Sequence, residues 1–155
     1  QGVGRGPAHA DLAALFHDCG RAVPVHRMGA YARARRVHAP WREEIIRHHP
    51  LLLHAYISAD LARRRYGVAD PVVLSAIRNH TLGDRRMPDL DRLLYVADSV
   101  SEDRDYPGVA RLRRLAFKDL DIAFAACVAN KIRHARRDGG WLHPLTLSLW
   151  DSLRK

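Results

Sequence analysis

The sequence predicts an all-helical fold in a single domain over residues 1–155. Three observations carry this. The chain has 155 residues, 47% of them hydrophobic, enough for one sizeable core and too few for two ordinary domains. Its ten glycines and eight prolines leave long apolar segments between them. No stretch alternates apolar and polar residues over several positions, as a strand with one solvated face would.

The residues before Pro7 read as a loose end. A first helix is expected from about Ala8 to Cys19, stopping at Gly20, since glycine tolerates the left-handed conformation that ends helices. Leu12, Leu15, Phe16 and Cys19 recur at the spacing of one buried face, interrupted by His17 and Asp18. After a linker with Pro24, MGAYARARRVHAPW carries no clear pattern, and Pro40 limits any helix there. REEIIRHH gives a short segment to His49. After Pro50 a helix runs to Gly67, its inner face formed by Leu53 or His54, Ile57, Ser58 and Leu61. ADPVVLSAIRNHTLG is sharply marked, with Asp70 as N-cap, Pro71 at the first helical position and Gly83 past the end. MPDLDRLLYVADSV opens another helix, with Pro88 near its start and a break before Pro107. One long helix is expected over VARLRRLAFKDLDIAFAACVANKIRHARR, to Asp138 or Gly139, followed by the tail WLHPLTLSLWDSL. No repeat or low-complexity linker interrupts the chain.

Composition narrows the function classes. No apolar run approaches the length that crosses a bilayer, and the opening QGVGRGPAHA lacks the apolar centre of a secretory signal. A soluble, cytoplasmic protein without membrane partners is the expectation. Cys19 and Cys127 lie within helical patterns, so they read as small buried hydrophobes in a reduced compartment. The net charge is +9. Lys118, Lys131 and Lys155 are the lysines; the other basic residues are arginines, scattered rather than interleaved with aromatics. Compositional bias explains this better than a nucleic-acid platform, and nucleic acid is not expected as a partner.

The chemistry-bearing residues fall on inward faces. His80 continues the stripe Val73, Ala76, Ile77; His54 heads the stripe Ile57, Ser58, Leu61; Asp98 follows Leu90 and Leu94 at intervals of four, where another leucine would be expected. An ionisable group near a core is costly unless it is hydrogen-bonded, charge-paired or bound to a metal. Four helices thus offer His17 with Asp18, His54, His80 and Asp98. Imidazoles and carboxylates without thiolates suit iron, manganese or zinc in a hydrolytic site.

At this point the residues resemble a known family. The pair His17-Asp18, then LLLHAYISA, AIRNHTLG, LLYVADSV, RDYPGV, DLDIA and HPLT resemble the HD-domain phosphohydrolases. More narrowly, they resemble the YqeK family of symmetrical diadenosine tetraphosphate (Ap4A) hydrolases, from about Ala13 to Thr146. The resemblance implies a single HD-domain helical bundle with a di-metal centre, iron first and manganese or zinc second, that hydrolyses Ap4A to two ADP. It implies His17, Asp18, His54, His80 and Asp98 as ligands, with Asp18 bridging. It also implies Arg21 as the basic partner of the HD pair, acting with Asp18 in catalysis. Arg104 would contact phosphate, and Thr81 and Gly83 would form a turn near the nucleotide. Two metals roughly 3.5–4 Å apart can activate water and polarise phosphoryl oxygens, so no protein nucleophile is needed. Arg85 and Arg86 read as solvated surface residues, and a homodimer is compatible with the pattern.

Three departures accompany the match. The family carries a sixth ligand, a histidine on a helix well upstream of the HD pair, and no segment before His17 supplies it. His9 does not serve, because eight residues of helix rise about 12 Å. Either that helix lies outside this sequence or the site is incomplete; the alternative function is accordingly a degenerate HD domain that binds a nucleotide or partner without catalysis. Val100-Ser101-Glu102 and Trp150-Asp151 replace the family's usual residues at two further places. His143 matches the family and is expected to pack the tail rather than bind metal. An arginine-rich RNA-associated module is the third reading, recognisable by steep salt dependence.

Overall fold

The computed structural model describes residues 7–154 and is helical throughout, with no strand among them. The expected loose end before Pro7 lies outside the described residues. The chain divides into two compact units, one ending at Thr81 and one beginning at Leu82.

The first unit contains α1 (Pro7–Phe16), a 3-10 turn (Cys19–Ala22), α2 (Val25–Ala34), α3 (Arg42–His48), a second 3-10 turn (Pro50–Leu53), α4 (His54–Tyr66) and α5 (Pro71–Asn79). Helix α4 is its axis. His54, Ala55, Tyr56, Ile57, Ser58, Ala59 and Ala62 are all buried, because α1, α2, α5 and both 3-10 turns pack around it. Gly67 ends it in the left-handed conformation, φ 71°. Asp70 caps α5 by accepting the Val72 amide at 2.7 Å, and its other oxygen takes Nε2 of His9 at 2.9 Å, which ties α1 to the start of α5.

Two expectations fail in this unit. Leu12 and Leu15 do not form a buried face; they are 40% and 71% exposed, while Ala13 is buried. The helix ends at Phe16, so Cys19 belongs to the following 3-10 turn and the assumed register does not exist. Gly20 is likewise no left-handed stop. It sits inside that turn, and a Cβ there would stand 2.3 Å from the His54 carbonyl oxygen and 2.7 Å from the Ser58 amide nitrogen. Gly20 is glycine because two backbones meet there.

The second unit contains α6 (Asp89–Val100), α7 (Val109–Ala116), α8 (Leu120–Arg137) and α9 (Pro144–Leu153). Helix α8 packs on the other three around Tyr95, Val96, Leu112, Phe124, Val128, Ile132 and Leu149. The single long helix expected from Val109 is two: Asp119 takes extended backbone and accepts the Ile122 amide at 2.9 Å, starting α8 with a side-chain cap. His143 packs the tail as expected. It is buried and caps α9, accepting the Leu145 amide at Nδ1 over 3.0 Å. Gly83, with φ 74°, lies where a Cβ would meet Leu149 at 2.4 Å. Beside it the Thr146 hydroxyl donates to the Leu82 carbonyl at 2.9 Å, so this turn is pinned to α9.

Candidate metal centre

The first unit brings four of the expected residues together. His17 and Asp18 follow directly on the end of α1, His54 opens α4, and His80 caps the end of α5. Each imidazole is tethered in the same way, with its Nδ1 against the carbonyl three residues earlier: His17 to Ala14 at 2.7 Å, His54 to Leu51 at 2.7 Å, His80 to Ile77 at 2.6 Å. A carbonyl can only accept, so each Nδ1 carries a proton and Nε2 is the ring atom turned into the site.

These nitrogens converge on one carboxylate. Nε2 of His54 lies 3.2 Å, Nε2 of His80 3.5 Å and Nε2 of His17 3.8 Å from Asp18 oxygens, and the His54 and His80 Nε2 atoms are 3.1 Å apart. The rings of His17 and His54 each stand edge-on to His80. Asp18 Oδ1 is buried and makes no hydrogen bond of good geometry. Burial pushes the Asp18 carboxyl up, yet His54, His80, Arg21 and His17 together outweigh it and hold the group far below the usual carboxylate range.

With one proton on each ring, the imidazoles and the carboxylate facing one another over such distances would present lone pairs to lone pairs. The arrangement is stable only with added protons or with a cation among them. The ligand atoms of His17, Asp18 and His80 all lie within 4.8 Å of one another, and His54 joins through the two short contacts above. The Nδ1–H to carbonyl bonds are the outer partners that fix tautomer and orientation in metal-ligating histidines. The residues therefore fit a metal of the iron, manganese or zinc type.

The remaining candidates fall in two groups. Arg21 donates Nε–H to Asp18 Oδ2 at 2.8 Å, and the Thr81 hydroxyl is hydrogen-bonded with His54 Nε2 at 3.3 Å. Asp98, Arg104 and Gly83 belong to the second unit. The cation that a carboxylate on that face demands is Arg104, whose Nη2 meets Asp98 Oδ1 at 2.8 Å while Nε holds the Asp98 carbonyl at 3.0 Å. Arg85 and Arg86 are exposed, in keeping with solvated roles.

Sequence reasoning missed two supports. Ser58, one turn after His54, accepts the Gly20 amide at Oγ over 2.8 Å and seats the turn that carries Asp18. The small pair Cys19-Gly20 directly after the HD pair was the available signal. Arg113 donates to the carbonyls of Val100, Ser101 and Arg104 at 2.9, 2.8 and 2.7 Å, bracing the loop that bears Arg104; nothing local in the sequence distinguishes it from its arginine neighbours.

The HD domain profile matches residues 4–103. The chain belongs to the HD-domain family. It is 36% identical over 121 residues to the symmetrical bis(5'-nucleosyl)-tetraphosphatase of Bacillus subtilis, an overlap of 78% of this chain and 63% of that protein. It is 31% identical over 144 residues to the protein of the same name from Halalkalibacterium halodurans, covering 93% of this chain and 75% of the relative. The chain thus spans rather less than two thirds of the first relative's length and three quarters of the second's. Among solved structures, an HD superfamily hydrolase from Clostridium acetobutylicum, described as involved in NAD metabolism, superposes with a TM-score of 0.87. It is 32% identical, with 97% of this chain and 79% of that one covered. No described helix is long and apolar enough to cross a membrane.

Proposed function

We propose that this protein is a metal-dependent nucleotide phosphohydrolase that cleaves Ap4A symmetrically into two ADP. The observation that carries the reading is the convergence of three carbonyl-tethered imidazoles on the Asp18 carboxylate, two of them on its buried oxygen. The names of the two curated relatives support the substrate.

We assign His17, Asp18, His54 and His80 as the residues that would hold the metal on their geometry, and Asp98 on the family pattern. A bound di-metal centre, iron first and manganese or zinc second, supplies Lewis-acid activation of water and of the phosphoryl oxygens. The chain's part is to hold and charge-balance that chemistry. The carbonyl tethers fix the imidazoles. Arg21 uses Nε to orient Asp18, leaving its other N–H donors for a phosphoryl oxygen. Arg104 supplies a second guanidinium for the polyphosphate, and Thr81 and Gly83 shape the turn beside the nucleotide. Hydrolysis breaks the central P–O–P bridge: the water oxygen becomes part of one ADP, the bridging oxygen leaves with the other, and the two protons of water go to the new terminal phosphates or, as these ionise, to solvent. The unpaired thiols of Cys19 and Cys127 support a reducing compartment, and the cytoplasm is the proposed location.

The test is metal content beside turnover. His54→Ala and Asp98→Ala should each lose bound metal and hydrolysis while keeping the helical circular dichroism spectrum. Either variant retaining full activity without metal would overturn the assignment.

A further inference from the structure

Helices α8 and α9 of the second unit enclose a cavity that the proposed reaction does not use. Its volume is about 240 Å³, and it is lined by Ala129, Ile132, Arg133, Arg136 and Trp150. Both arginines are exposed, and among the described residues neither forms a hydrogen bond, an ion pair or a ring contact. On the other side of Arg133 lies a second cavity of about 200 Å³, bordered by Asn130, His134 and Arg137; there Arg137 is already engaged by Asp138 at 3.3 Å. Basic residues in a last turn complement the carbonyl end of a helix, which accounts for Arg136 and Arg137. That effect fades before Arg133, a full turn ahead of the end of α8 at Arg137. Nor does it account for Trp150, which packs against the core of this unit and still borders the cavity. A large aromatic ring is thus kept beside two cations that no carboxylate among the described residues neutralises.

One aromatic surface next to two guanidinium groups has the recognition chemistry of a nucleoside diphosphate. A ring face takes a base by stacking, and a guanidinium presents a planar pair of donors to a phosphate. We propose that this cavity is a second nucleotide site, built from residues other than those of the metal centre, which takes a nucleoside diphosphate with its base on Trp150 and its phosphates on Arg133 and Arg136. A nucleic-acid strand would need successive aromatic surfaces for successive bases, and this cavity has one. No residue assigned above to the metal or to Ap4A lines it, so the inference goes beyond the hydrolase reading and does not depend on it.

ADP is the probe. Added to the full, metal-loaded chain, it should change the tryptophan fluorescence, and the part of the change that belongs to this site is the part lost in Trp150→Phe; calorimetry in parallel reads the binding without the reporter. Arg133→Gln and Arg136→Gln stand at exposed positions and should leave the melting temperature level. Each should weaken the Trp150-dependent binding by about tenfold, as for a lost hydrogen bond to a charged group, with kcat and KM for Ap4A unchanged. Inorganic diphosphate, which lacks the base, should bind about tenfold more weakly than ADP. The proposal is overturned if about 1 mM ADP leaves the Trp150 emission unchanged, if both arginine variants bind like wild type, or if inorganic diphosphate binds as tightly as ADP. An RNA oligonucleotide that displaces ADP at far lower concentration would overturn it too, in favour of a nucleic-acid surface. Wild-type protein that fails to hydrolyse Ap4A speaks instead against the phosphohydrolase reading, and the ADP titration still judges this site.

Discussion

Adding one methyl group at Gly20 should damage both the fold and the metal centre. The new Cβ would lie 2.3 Å from the His54 carbonyl oxygen, 2.7 Å from the Ser58 amide nitrogen and 2.8 Å from Ser58 Oγ. Two of those three atoms are backbone of a buried helix and cannot rotate away, so the 3-10 turn itself must shift. We expect Gly20→Ala to cost about 2–3 kcal/mol, the upper part of the range for overpacking. For a chain of this size that lowers the melting temperature by about 4–12 °C. Because Asp18 is two residues away, the same shift should weaken metal binding about tenfold or more, the usual effect of disturbing the support behind a ligand. Removing the Ser58 hydroxyl as well does not relieve the clash, since the His54 carbonyl remains. Thermal unfolding of the metal-free protein, with metal titration in parallel, reads both effects. Gly140→Ala is the control: its Cβ would have nothing nearer than 3.4 Å, and the change should stay within about 0.5 kcal/mol. The reasoning is refuted if Gly20→Ala melts and binds metal like wild type, or if Gly140→Ala loses as much.

Three further outcomes separate the site from the scaffold. Tyr95→Phe should be neutral or stabilising by up to about 1 kcal/mol in thermal unfolding, because the Tyr95 hydroxyl is buried with no hydrogen-bond partner; a clear loss would reveal a bond the fold depends on. His143→Ala should lose about 0.5–2 kcal/mol of stability, the worth of an N-cap, with metal content by elemental analysis unchanged; lost metal would move His143 into the ligand set. Arg104→Ala should lower kcat/KM for Ap4A by about 1.5–3 kcal/mol, the range for hydrogen bonds to charged groups, again with metal retained, and loss of the metal would assign Arg104 to holding Asp98 instead.

How far the sequence could be read followed from the range of the interactions involved. His54 and His80 were legible as inward-facing because each lies in line with an apolar stripe on a helix with clear ends, and a stripe reports burial directly. Asp98 was legible as a carboxylate in a leucine's place, and the need for a cation beside it could be stated although Arg104 could not be singled out by pattern alone. The inner face of α1 was misread because periodicity was continued through Phe16, where the helix ends and the register is lost. The break at Asp119 was missed because apolar spacing runs on across it, while the cap acts over only three residues. Least legible were contacts far apart in sequence: Gly20 against Ser58, and Lys131 on Tyr95. A glycine kept for backbone approach looks the same in sequence as one kept for a turn, and an ammonium placed on a ring leaves no periodic trace.

The most direct test of the central claim is product analysis. The protein, stripped of metal with a chelator and reloaded anaerobically with iron(II), is incubated with Ap4A and the nucleotides are separated. The account predicts that hydrolysis is absent in the stripped protein and returns on reloading, with ADP as the sole product. Hydrolysis undiminished by metal removal, or products of AMP and ATP, would contradict it.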